Sequence, residues 1–247
     1  MKLLSLLSLF LFSLTGLEDD HSPAGSLYAF YHFSAPEPDR VVAAMDKFWD
    51  SGCGNQYPAD VGLSQEAFNG SYQSTHFVIN TFQSVADQET AAEIMRSCPA
   101  VLEFQSEMAE ASVVGVRQYL GFAPIDENDW GQDSTFSKFD IVVQPQDQAP
   151  YAAAYDKMMS KVAEDTDVKS YGLGVVGFGR DKFTHWVWTG ASSITELDAI
   201  TRGISSHPAF AEFNQAVAEM RTVVNTTQLQ ILKNYQKIDK HRENLGG

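Results

Sequence analysis

Two Thr-His pairs, Thr75-His76 and Thr184-His185, each open a run of aromatic and β-branched residues. A histidine exchanges its proton near neutral pH, so either one has the chemistry of a general base or of a group that orients a ligand. In the stretch from His185 to Thr189, strand alternation puts His185, Val187 and Thr189 on one face and Trp186 and Trp188 on the other. With Tyr171, Met158 and Met159 on neighbouring elements, this set suits a pocket for an apolar ligand, with His185 as its base. The plainer reading is a strand-edge histidine bonded to backbone, with the rings and thioethers filling a core. His207 is a further ligand-binding candidate, five residues before Glu212. That spacing is not the i, i+4 pair of a metal site, and Ser206-His207-Pro208 also fits the start of a helix. No metal and no cofactor are expected.

Other motifs point away from particular chemistries. Gly172-Leu173-Gly174, with Gly177 and Gly179, superficially resembles a phosphate loop, but no helix start follows it, so a nucleotide site is not expected. There is no Gly-x-Ser-x-Gly elbow. Cys53 and Cys98 are too few for a disulfide scaffold or a structural zinc site; they either pair in an oxidising compartment or act as two buried thiols. Asn69-Gly70-Ser71 and Asn225-Thr226-Thr227 fit the N-glycosylation pattern, which matters only in a host that glycosylates exported proteins.

The elements that carry these residues occur twice. Sliding the chain against itself by 109 residues aligns Thr75-His76-Phe77-Val78 with Thr184-His185-Trp186-Val187, and the run from Ser97 to Phe104 with that from Ser206 to Phe213. Over residues 75–120, 13 of 46 positions are identical, where ordinary composition gives roughly three. Each copy reads as strand, helix, two strands, a long helical stretch broken at Pro99 or Pro208, and a last strand. The strands fall near Leu27–Phe33, Val61–Phe68, His76–Phe82 and Val116–Phe122, and again near Phe136–Val143, Tyr171–Phe178, Thr184–Thr189 and Gln228–Leu232. This βαββαβ order is the ferredoxin-like unit, whose sheet carries helices on one face only. The fold class expected is therefore α+β: two tandem ferredoxin-like units, residues 25–123 and 133–235, packed sheet to sheet as a pseudo-symmetric barrel with the helices outside. The polar stretch from Pro124 to Gln132 would link them, and residues 236–247 form a polar tail.

Composition narrows the setting. Met1-Lys2 and an apolar run from Leu3 to Leu14 have the pattern of a signal peptide over residues 1–16, too short to span a membrane. Secretion or a periplasmic location is expected, with no integral membrane association. Formal net charge is −15, and loss of Lys2 with the leader makes it −16, so nucleic acid is not an expected partner.

The second half of each copy, above all Ser206-His207-Pro208-Ala209-Phe210-Ala211-Glu212-Phe213, resembles the dimeric α+β-barrel superfamily, in particular stress-responsive A/B-barrel and antibiotic-biosynthesis-monooxygenase-like proteins. The resemblance implies the barrel fold and admits several activities: cofactor-independent monooxygenases, haem-degrading enzymes, dehydratases, cyclases and isomerases. Cys98 stands where the second copy has His207, so no single residue role transfers to both halves. The expected function is binding of a small apolar or aromatic molecule. The alternatives are a cofactor-independent monooxygenase or lyase, and a structural or assembly protein. Oligomeric state is left open.

Overall fold

The computed structural model describes residues 26–127 and 130–235. The expected leader, 1–16, and the tail, 236–247, lie outside these residues. The chain runs β1 (Leu27–Ser34), α1 (Pro38–Trp49), β2 (Asp60–Ala67), β3 (His76–Phe82), α2 (Val85–Ser97), α3 (Pro99–Glu110) and β4 (Val114–Glu127). The same order follows as β5 (Thr135–Val143), α4 (Gln148–Asp165), β6 (Ser170–Phe178), β7 (His185–Ala191), α5 (Ile194–Ser206), α6 (Pro208–Ala216) and β8 (Arg221–Tyr235). The eight strands close into one antiparallel barrel in the order β1-β3-β2-β8-β5-β7-β6-β4. Among the described residues no helix is long and apolar enough to cross a membrane.

Local chemistry sets the helix boundaries. Ser84 and Ser193 cap α2 and α5, accepting hydrogen bonds from the backbone N–H of Asp87 and Glu196. Pro99 and Pro208 then start α3 and α6, where a missing N–H costs nothing. The two closing strands are longer than their apolar stretches suggested. The first part of β4 pairs with β1 over Val114–Phe122, and its end pairs with β6 over Leu120–Glu127. Likewise β8 pairs with β5 over Arg221–Gln230 and with β2 over Gln228–Tyr235. Polar residues such as Asp126 and Asn234 extend these strands because a neighbour from the other half supplies the backbone partners.

Three apolar cores result. One fills the barrel interior and contains Tyr28, Phe30, Phe77, Phe136, Trp186 and Trp188. The others lie between sheet and helices, one in the first half around Val41, Met45 and Phe48, one in the second around Tyr155, Met159 and Val162. Cys53 and Cys98 form a disulfide, with Cα atoms 6.4 Å apart, that ties the end of α1 to the α2–α3 junction. The glycine run of β6 has a packing role: Gly172 and Gly174 are the register partners of Trp188 and Trp186, and a Cβ on either would overlap those indole rings. Gly174→Val should therefore destabilise the protein by about 1–3 kcal/mol in a denaturant melt; wild-type stability in that variant would show that Trp186 does not need the space.

Candidate functional site

The barrel wall divides the residues that the sequence grouped around His185. Trp186 and Trp188 point into the barrel, where their ring centroids lie 6.5 Å apart. His185 points to the opposite, helix-covered face; it is 2% exposed, its ring lies 6.5 Å from that of Tyr151, and its Nδ1 is 2.8 Å from the Thr184 hydroxyl. Tyr171, Met158 and Met159 belong to the second-half core on the helix side. His207 sits at the α5–α6 junction, where Nδ1 accepts from the Ala209 N–H and Nε2 lies 3.0 Å from Asp165. Thus His185 and the two tryptophans face different compartments, and His207 touches neither. The tryptophans border a chamber of only about 50 Å³.

The large cavity, about 920 Å³, lies instead in the first half, between the sheet and α1–α3. This is within the size range of small-molecule sites. The strands contribute Tyr31, Phe33, Val61, Val78, Asn80 and Phe82, and α1 contributes Met45, Phe48 and Trp49. Tyr57, Phe104, Met95 and Met108 complete an aromatic and thioether wall. Its rings meet at steep angles, Trp49 and Tyr57 at 85° and Phe48 and Trp49 at 76°, so they brace one another edge to face.

The cause of the cavity is legible in α2. At the 109-residue spacing, Gln88 and Ala91 stand where the second half has Leu197 and Ile200. Leu197 and Ile200 are both buried and fill the second-half core, whereas Ala91 is the one residue of α2 that is buried. Comparing the two helices position by position would have located the cavity from sequence; comparing only the strands led toward the tryptophans. Tyr31, Gln88 and Gln118 also line an open groove of about 420 Å³ beside Phe178, so the route to solvent runs between α2 and the paired strands β1 and β4.

Few polar groups face this space. The Asn80 amide donates to the Tyr57 hydroxyl at 2.9 Å, which leaves the Tyr57 proton to be offered elsewhere. Burial holds the Tyr57 phenol well above the ordinary tyrosine range, so that it is a neutral donor. Gln88 and Gln118 add neutral amides at the rim, and Arg96 pairs with Glu93 at 2.7 Å. The polar groups that face this space are thus neutral hydroxyls and amides, apart from the paired Arg96 guanidinium. Among the described residues no cluster of three or more histidine, cysteine or carboxylate side chains could hold a metal ion.

The histidines act on stability. Burial, reinforced by Arg180, lowers His185 to about 4, and burial also lowers His76 and His32. Unfolded histidine takes up its proton near pH 6.5, so below that value the unfolded chain binds more protons than the folded one. Stability should therefore fall as pH drops from about 6.5 toward 4, and His185→Gln should flatten that slope in melts across the window. An unchanged slope would count against His185 as a contributor.

No protein-family profile matches the sequence. No curated protein matches it significantly. Among solved structures it is similar to a candidate monooxygenase from Fusobacterium nucleatum subsp. nucleatum, at 14% identity and a TM-score of 0.59, over 87% of this chain and 96% of that one. It is also similar to an anthrone oxidase-like protein, at 11% identity and a TM-score of 0.57, over 86% and 94% of the two chains. A haem-binding protein from Thermus thermophilus follows at 10% identity and a TM-score of 0.51, over 90% and 96%. The fold is thus the α+β barrel of these proteins; at such identities the likeness concerns fold alone.

Proposed function

We propose that the protein binds a small, uncharged, flat apolar or aromatic molecule in the first-half cavity, and that it does so outside the cytoplasm. The observation that carries this reading is the aromatic and thioether cavity opened by Gln88 and Ala91, with the Tyr57–Asn80 pair as its polar contact. The Cys53–Cys98 disulfide and the signal-like first 16 residues support export. The repeated element order and the 109-residue identities support a tandem duplication in which one copy kept a filled core and the other an open one.

The haem named for one similar structure is not carried over. The residues lining the cavity include no histidine or cysteine to ligate an iron, and burial keeps the Tyr31 and Tyr57 phenols protonated, which leaves only methionine thioethers, so an organic molecule suits the site better. An oxygenase or lyase remains the alternative, favoured by the fold shared with a candidate monooxygenase and an anthrone oxidase-like protein. Against it, the cavity wall holds no histidine or carboxylate to take a substrate proton. A purely structural role is disfavoured by the size of the cavity.

The neutral fluorophore N-phenyl-1-naphthylamine tests the site. It should brighten on binding the wild-type protein and accept energy from Trp49. Gln88→Leu combined with Ala91→Ile, which transplants the second half's filling, should weaken that binding about tenfold or more and raise the melting temperature. Equal binding by the two proteins would remove the case for this cavity. For export, the intact mass of the protein isolated from its natural source should lack about the first 16 residues; a retained Met1 would refute cleavage.

A further inference from the structure

The barrel interior has two ends of opposite character. One end is aromatic, and at the other five ionisable residues of both halves meet out of water. His32 on β1 points inward, and its Nδ1 lies 3.1 Å from Glu66 Oε1 on β2, with side-chain exposures of 0% and 2%. Lys138 on β5 hydrogen-bonds Asp140 on the same strand. Arg117 on β4 lies 4.0 Å from the other Asp140 oxygen. Burial lowers His32, so the ring is neutral; burial alone would raise Glu66, but the His32 hydrogen bond, Ser74 and Lys138 bring it below its usual range. A carboxylate only accepts, so Nδ1 carries the ring proton and Nε2 presents a lone pair.

That lone pair is unused. His32 Nε2 and the Tyr119 hydroxyl are buried without a hydrogen-bond partner, whereas the Tyr72 hydroxyl interacts with Arg117 and Asp140. Buried polar atoms are nearly always paired, and an unused acceptor and an unused donor on two stacked rings 5.6 Å apart mark a place built to receive something polar. Phe30 and Phe77, whose rings lie 6.1 and 5.1 Å from that of His32, also line the 50 Å³ chamber, together with Lys138 and the orphaned Ser64 hydroxyl. Lys138 is the one member of the charged cluster on the wall of that chamber, which otherwise lies among the rings of the aromatic end. The outer side is shut by two side chains from loops. Tyr72, between β2 and β3, lies under the Arg117 guanidinium at 3.6 Å, and Phe183, between β6 and β7, packs 5.2 Å from Tyr119. Phe183 is buried, whereas Tyr72 is only partly covered and belongs to a loop, which makes Tyr72 the movable closure.

We propose that this end of the barrel is a gated acid–base site in which His32, oriented by Glu66, offers Nε2 to a small hydroxylic molecule admitted past Tyr72. The transfer balances within the cluster. The O–H proton of the solute passes to Nε2, the O–H bond electrons stay on its oxygen, and the imidazolium that forms is compensated by Glu66. Lys138, Arg117 and the Tyr119 hydroxyl are the donors of the cluster that steady the resulting oxyanion. The site is separate from the first-half cavity, on the other face of β1, so its test does not depend on ligand binding there.

Histidine C2–H exchange with deuterium in the folded full-length protein, followed by digestion and mass spectrometry of the histidine-containing peptides, reads the access of solvent to each ring. Tyr72→Ala should speed exchange at His32 by about tenfold or more, and Tyr72→Phe, which keeps the stack on Arg117, should stay within about twofold of wild type. His76, His185 and His207 should keep their rates in both. A wild-type rate at His32 in Tyr72→Ala overturns the gate. Should that variant fail to fold, methanol titrated into the wild-type protein decides: it should shift the 15N resonance of His32 Nε2 and leave that of His185 in place, and no shift at His32 overturns the site.

Discussion

Closure of the barrel through β4 and β8 is the constraint on which the rest of the structure depends. Each of these strands divides its length between two partners, its own half first and the other half second. Neither half's sheet has a free edge as a result, and the inner face of each is covered by the other. Closure also decides the address of every strand side chain. Because alternate residues face opposite sides, His185 goes under the helices as soon as Trp186 and Trp188 go into the barrel. The tryptophans in turn need the bare backbone of Gly172 and Gly174 opposite them.

Outside the barrel wall the two halves solve the same packing problem differently. The second half uses Leu197 and Ile200 to fill the layer between helices and sheet, and joins Asp165 to His207 at the α5–α6 junction. The first half carries smaller or polar residues on α2 and leaves a cavity, which forfeits contacts along its lining. At the position equivalent to His207 it has Cys98, bonded to Cys53 across 45 residues. In the chain-entropy account a loop of that length stabilises by roughly 4 kcal/mol. The cross-link thus lies in the half whose core is less complete, and it fastens together the helices that frame the opening.

Strand positions, the break at each proline and the tandem element order were readable from the sequence because they rest on local periodicity and on proline's missing donor. The ends of β4 and β8 were not, since Asp126, Glu127 and Asn234 become strand residues only when a partner from the other half arrives. The cavity was present in the sequence as a difference, Gln88 and Ala91 against Leu197 and Ile200, and could be seen only by comparing core positions of the two halves. The polar end of the barrel was hidden for another reason. His32, Glu66, Arg117 and Lys138 lie on four strands, and no spacing along the chain relates residues that closure alone brings together.

One strand joins the two compartments. On β1, Tyr31 and Phe33 face the first-half cavity, while Phe30 and His32 face the barrel interior. β1 is held on both sides, by β3 along Leu27–Phe33 and by β4 along Leu27–Ser34, so it is a rigid partition. The opposite wall of the cavity is α2, which buries only Ala91 and whose Gln88 stands at the opening. Few buried contacts mean a low cost of local displacement, so the give needed to admit a ligand falls on α2 and leaves the β1 side fixed. A ligand in the cavity would then meet a preorganised aromatic floor and a yielding helical cover, with the His32 ring held in place by the same backbone from behind.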